Sequence, residues 1–331
     1  ARRAGGGRAT EGQDPVIVRL TLARLVAIPA AMAYPWQSSA DRWLLGVAIA
    51  VVIVLFAWWR GLFVTTMIAR RIALWRRRNR TDGSHRSCEF ATVVLRVEPR
   101  ETGDVPLALI SGYLDRYGIA FDKVRVTSRD GGGARTTWVA LTLAAADNLT
   151  ALAARSPRIP LQDTVELAAR RLADHLRETG WEVTVDNDVT TPMPDQGTET
   201  WRGVRDQQGY VAAYRISIDG RLAETLGAVW KSDSAEIWTA LEFTGSRPHP
   251  ELSAACVLRT DKRPDSHAPL PGLAPERGLH RPALAALAPG SDRRLPGTPV
   301  RAPADLWSQL RWPAAQRSVE HERAHEAGHP A

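Results

Sequence analysis

The stretch Trp43 to Trp59, WLLGVAIAVVIVLFAWW, constrains this chain more than any other part of it. Its seventeen residues include no ionisable side chain. Coiled as an α-helix they would extend about 25 Å, close to the hydrocarbon thickness of a bilayer. Tryptophans stand where membrane interfaces favour them, with Trp36 before the run, Trp43 at its start and Trp58 and Trp59 at its end. A buried helix of a soluble core is the competing reading, but such helices rarely lack a polar stripe. The sequence therefore predicts a transmembrane helix over about 43–60.

The charge distribution supports a membrane border rather than a nucleic-acid surface. Formal net charge is +7, yet residues 60–86 alone hold eight arginines against Asp82. The first 59 residues add six arginines against three acids, so residues 87–331 are left slightly acidic. A globular part without positive excess is a poor phosphate-binding surface, and no nucleic-acid partner is expected. Arg60, Arg70, Arg71, Arg76, Arg77 and Arg78 are placed to meet anionic lipid headgroups. An ordinary stop signal after a membrane span explains the same charges. The two cysteines, Cys88 and Cys256, give neither a disulfide framework nor a metal-ligand spacing.

A second apolar run, Val16 to Tyr34, precedes the first, after a Gly-rich polar leader over 1–14 that reads as mobile. Arg19 and Arg24 lie in its first half, where a long stem can reach the headgroups. It reads as a transmembrane helix over about 16–34, with an interfacial amphipathic segment as the alternative. The connection Pro35–Arg42 suffices only for a tight hairpin. Arginines before the first run and after the second place both termini in the cytoplasm. Residues 15–80 are thus expected to form a membrane hairpin with a basic juxtamembrane helix running on past Arg60.

Residues 88–260 read as a cytoplasmic α+β domain, a mixed sheet with helices packed on it. Strands are expected over 90–97, 122–128, 135–143, 181–187, 210–218, 235–244 and 251–260, and helices over 106–117 and near 221–230. Two more helices are expected after residue 143, the first capped by Asp147. The second, 162–179, would bury a stripe of Val165, Leu167, Leu172 and Leu176. Gly131, Gly132 and Gly133 fit a hairpin turn, since no phosphate-loop lysine follows them. Residues 261–331 form a Pro-rich wrapping segment, helical only near 280–288, and a polar His/Glu-rich tail. No internal repeat stands out.

One motif carries possible chemistry. HERAHEAGH holds His-Glu-x-x-His twice, through His321, Glu322 and His325 and again through His325, Glu326 and His329. On a helix such histidines share a face and can bind zinc, with the glutamate activating water. Against this, Gly328 and Pro330 would break the second copy, and nothing apolar nearby would shape a cleft. A soluble tail is the better reading, so no catalytic, cofactor or metal site is predicted. A membrane-anchored enzyme, either a zinc-dependent hydrolase or a transferase at the lipid surface, stays as the alternative.

Several strings of residues resemble a known family. PWQ (35–37), LLGVAIAVVIVLFAWWRG (44–61), GYLDRYGI (112–119), RIPLQDT (158–164), RRLADHLRETGW (170–181), ETWRGV (199–204), WTALEFTG (238–245) and HRPALAAL (280–287) are similar to EccE. That family comprises membrane components of the type VII (ESX) secretion systems of mycobacteria and related actinobacteria. The likeness is strongest to the branch serving the third ESX system, linked to iron and zinc acquisition. It runs from about Val16 onward, while the leader and PADLWSQLRWPAAQ (303–316) depart from it. The resemblance implies a multi-pass inner-membrane protein with two spans and a cytoplasmic α+β domain. It further implies a structural, non-catalytic place in an oligomeric complex beside EccB, the EccC ATPase and EccD.

Overall fold

A computed structural model describes residues 58–59, 62–63, 70–71, 89–100, 103–156, 160–246, 249–302 and 309–314. The chain divides into two units, 1–76 and 77–331. In the first, β1 (Trp58–Trp59) pairs antiparallel with β2 (Leu62–Phe63), Trp59 opposite Leu62. The helix expected to run through Arg60 is therefore interrupted here. Tryptophan and phenylalanine suit extended backbone. Arg70 and Arg71 are helical. The span expected over 16–34, and residues 43–57 and 60 of the span expected over 43–60, lie outside the described residues, and among those described no helix is long and apolar enough to cross a membrane.

The second unit is α+β, as expected, with helices packed on one large sheet. Its first half runs β3 (Phe90–Pro99), α1 (Leu107–Ser111), β4 (Asp115–Arg116), β5 (Ile119–Ala120), β6 (Lys123–Gly131) and β7 (Ala134–Ala144). Then come α2 (Ala145–Ala153), α3 (Leu161–Glu178) and β8 (Trp181–Val185). The second half holds β9 (Thr198–Glu199), β10 (Val204–Asp206), β11 (Gly209–Ile216), α4 (Leu222–Trp230), β12 (Glu236–Ser246) and β13 (His249–Thr260). It closes with β14 (Leu273–Pro275), α5 (His280–Leu287) and β15 (Val300–Arg301). The sheet order is β8-β3-β7-β6-β12-β13-β11-β10-β9, with β14 also on β11 and β15 on β13. The expectation of a mixed sheet is sharpened here, because every pairing described is antiparallel.

The order reads alike from both ends towards the middle. In one half β8, β3, β7 and β6 stand side by side, and in the other β14, β11, β13 and β12 do. Each half is a strand, a helix and a hairpin, followed by a strand that returns to the outer side of the first. Both hairpins leave two residues between their last paired positions, Gly131↔Ala134 and Ser246↔His249. Five residues back from Gly131 and from Ser246 stand Val126 and Leu241, which are paired with each other. The fold thus contains the repeat that the sequence conceals.

Burial explains the elements. Along β7, Val139, Leu141 and Leu143 enter one core, while Trp138 and Ala140 enter a second on the opposite face. A strand covered on both faces becomes a nearly continuous apolar run. The first core is closed by α3, whose Val165, Ala168, Ala169, Leu172, Ala173 and Leu176 form one i, i+3, i+4 row. Leu167 lies off that row and is 51% exposed, contrary to the expected stripe. The second core is closed by α5 through Ala283, Leu284 and Leu287.

Three local expectations change. The helix expected over 106–117 ends at Ser111. Beyond it Tyr117 and Gly118 have φ of 58° and 71°, closing a hairpin in which Arg116 faces Ile119. Such a loop wants positive φ at both central positions. Asp147 does not cap α2; Ala144 occupies that position without a side-chain bond, and Asp147 sits in the first turn. Finally, Trp312 from the stretch that departs from the family pattern is fully buried. Its indole donates to Ser128 Oγ at 2.7 Å, its carbonyl accepts from Val105 N–H at 2.8 Å, and its ring meets Trp230 edge-on at 5.4 Å.

Candidate functional site

The strongest concentration of buried charge lies where the two halves meet. On β6, alternation turns Lys123 and Arg125 to the α5 side, and Glu242 on β12 stands directly opposite Arg125. All three are at most 1% exposed. Arg125 donates to Glu242 Oε2 from Nε at 3.0 Å and from Nη2 at 2.5 Å. Its remaining N–H groups bind the carbonyls of Ala286 at 2.5 Å, Ala288 at 3.0 Å and Arg293 at 2.6 Å. Lys123 Nζ also donates to Arg293 O at 2.5 Å, and Glu242 Oε1 accepts from Leu295 N–H at 3.2 Å. The cluster therefore ties the segment after α5 to the seam of the sheet. Every N–H of the guanidinium is spent inside the protein.

Two cations share one carboxylate in this dry site, and the lysine yields. Burial, with the Arg125 charge next, lowers the Lys123 ammonium to about 7 although Glu242 pulls the other way. A lysine is the cation that can give up its charge; an arginine cannot.

A second network occupies the hairpin end of the same face. Glu236 accepts from Arg129 at 2.6 Å and from Arg259 at 3.1 Å, and Arg259 also reaches Asp206 at 2.7 Å. Trp138 and Trp238 stack with centroids 5.6 Å apart and planes 7° from parallel. Their indole N–H groups donate to Asp186 at 2.8 Å and Glu236 at 3.0 Å. Burial alone would raise the Glu236 carboxyl, but the bonds from Arg129, Arg259 and Trp238 hold it below its usual range. These charges brace strands rather than face an open cleft.

Other reactive groups are equally enclosed. Cys256 is fully buried and burial pushes its thiol up. His280, also buried, accepts the Ala213 N–H on Nδ1 at 3.1 Å. Among the described residues no group of three or more His, Cys, Asp or Glu side chains could hold a metal ion. Of the residues singled out in the sequence, Trp36, Trp43, Arg60, Arg76, Arg77, Arg78, His321, Glu322, His325 and His329 lie outside the described residues. Trp58 and Trp59 form β1, Arg71 is exposed and Arg70 half-buried. The Lys123–Arg125–Glu242 centre was missed. Its signal was charge inside strands that are apolar on both faces, as in KVRV and ALEF.

The described domain is an α+β fold with a sheet covered on both faces and buried ionic ties, and its family is set by comparison. Residues 132–216 match the family described as "Putative type VII ESX secretion system translocon, EccE". The chain is 54% identical over 313 residues to the ESX-3 secretion system protein EccE3 of Mycolicibacterium smegmatis, covering 95% of this chain and 99% of that one. Against EccE3 of two Mycobacterium tuberculosis strains it is 50% identical over 304 residues, covering 89% of this chain and 91% of each relative. This chain belongs to the EccE family.

Proposed function

We propose that this chain is a structural, non-catalytic subunit of the inner-membrane core complex of a type VII (ESX) secretion system. The system is the branch linked to iron and zinc acquisition, and the partners are EccB, the EccC ATPase and EccD. Two membrane helices anchor the chain with both termini in the cytoplasm, and the arginines of 60–78 rest on anionic headgroups. Likeness to relatives named as ESX-3 secretion proteins supports the system. One observation carries the structural role: Arg125 spends all its hydrogen bonds on Glu242 and three carbonyls, so the most concentrated buried charge works as a tie.

The test is extraction of the tagged chain from its own membranes in mild detergent. EccB, EccC and EccD are expected to migrate with it as one large species. Recovery of the chain free of all three would sink the reading.

A further inference from the structure

Three guanidinium groups converge on one exposed tyrosine. Tyr117 is 45% exposed and is the single non-glycine residue with positive φ among those described. A non-glycine residue in this region is strained, and such strain persists where the surroundings over-determine it. Here they do. Asn148 on α2 clamps the hairpin by bonding both the N–H and the carbonyl of Ala120, at 2.9 and 2.7 Å. Arg155, just past α2, donates to Tyr117 O at 3.1 Å. Arg171 on α3 lies over the Tyr117 ring at 4.4 Å, and Arg116 lies 5.7 Å from it and 4.9 Å from the ring of Tyr113. None of Arg116, Arg155 and Arg171 has a carboxylate partner among the described residues.

Apolar surface adjoins this cluster. Leu167, one turn before Arg171 on α3, is 51% exposed, and Leu149 on α2 is 50% exposed. A guanidinium stacked on a ring keeps its in-plane N–H edge available, and that edge fits a carboxylate bidentately. Pre-oriented arginines around an exposed tyrosine have the composition of an interface hot spot, and the leucines add apolar area beside it. A lipid surface is disfavoured by the wider charge. Together α2 and α3 carry Asp147, Asp163, Glu166, Asp174 and Glu178 against Arg170, Arg171 and Arg177, so no broad positive field draws anionic headgroups.

We propose that the Tyr117 hairpin and the adjoining faces of α2 and α3 form a docking site for an acidic, amphipathic segment of another subunit of the same complex. The inference rests on the subunit reading above. Carboxylates of the segment pair with Arg116, Arg155 and Arg171, while its apolar side covers Tyr117, Leu149 and Leu167.

The experiment places the photo-crosslinker p-benzoylphenylalanine at position 167 of the full-length chain in its native membranes and maps the cross-linked peptide. The expected product joins position 167 to an Asp- or Glu-bearing segment of a different subunit. Tyr117→Asn and Arg171→Glu should each lower its yield about tenfold, as loss of a hot-spot contact does. Asparagine accepts positive φ more readily than tyrosine, so Tyr117→Asn should melt no lower than the parent chain. Loss of cross-linking without loss of stability separates a docking role from a structural one. Cross-links to lipid alone, to a second copy of this chain, or to a segment without carboxylates would overturn the proposal. So would unchanged yields in both variants. Recovery of the parent chain free of other subunits would instead remove the subunit reading, and the docking site with it.

Discussion

Val126 and Leu241 face each other, both fully buried, within the seam that joins two like halves of the sheet. The next pair along the seam is Arg125 and Glu242, so the junction combines an apolar contact with a buried ion pair. The two halves depend on this line of contact for continuity of the sheet.

Glu242→Gln should be among the most damaging single changes. It keeps the shape but leaves Arg125 and Lys123 buried without a counter-charge, which costs about 3–5 kcal/mol. Arg125→Met with Glu242→Leu should recover only part of that loss, because Lys123 stays buried without a counter-charge and the carbonyls of Ala286 and Ala288 lose the Arg125 donor. Urea denaturation of the variants checks both statements.

Stability should rise with pH just above neutrality. The folded Lys123 releases its proton near 7 and the unfolded one near 10.5. Between those values the unfolded chain binds a proton that the folded one does not, so folding is favoured as pH increases through the window, and the gain is absent below it. The slope is at most about 1.4 kcal/mol per pH unit. Denaturation midpoints from about pH 6.5 to 8, below the ordinary thiol range, measure it. Lys123→Met should flatten the profile.

The C-terminal region should divide at Ala314 into a part the fold needs and a part it does not. Trp312→Ala should cost about 3–5 kcal/mol, because it empties a fully enclosed site between Ser128 and Trp230. A chain ending at Arg317 lacks His321, Glu322, His325 and His329, and should match the intact chain in melting temperature and in secretion. Loss of secretion restored only by intact His321 and His325 would bring back the zinc hydrolase.

Cys256 should resist modification. Its sulfur is enclosed and burial raises its thiol. In a Cys88→Ser background, maleimide labelling should track global unfolding and stay negligible in the native protein.

Much of the sheet was legible because its strands are bounded by turn residues and enriched in β-branched and aromatic side chains. FATVVLRV and RTTWVALTL fall within β3 and β7. The long helix was legible from Val165, Leu172 and Leu176, while Leu167 misled because hydrophobicity alone does not report which face is covered. The hairpin at Tyr117 was hidden by its tyrosine, since turn signals rest on asparagine, aspartate and glycine. The buried centre was hidden because lysine, arginine and glutamate ordinarily mark a solvated face, and their pairing spans more than a hundred residues. Trp312 looked like part of an inserted stretch, as the short run around it shows no clear periodicity. The repeat left no trace in the residues because its halves share positions in the sheet and not side chains.

The place of Trp312 also sets an order of events at the ribosome. Its indole fills a site between a hairpin strand and a helix made long before it, and its carbonyl receives the Val105 N–H. Until residues 309–314 emerge, that site lacks the side chain that fills it. The domain therefore completes itself last at a point near its beginning. A chain stalled before residue 309 would present the unfilled site to chaperones and proteases as a mark of unfinished synthesis.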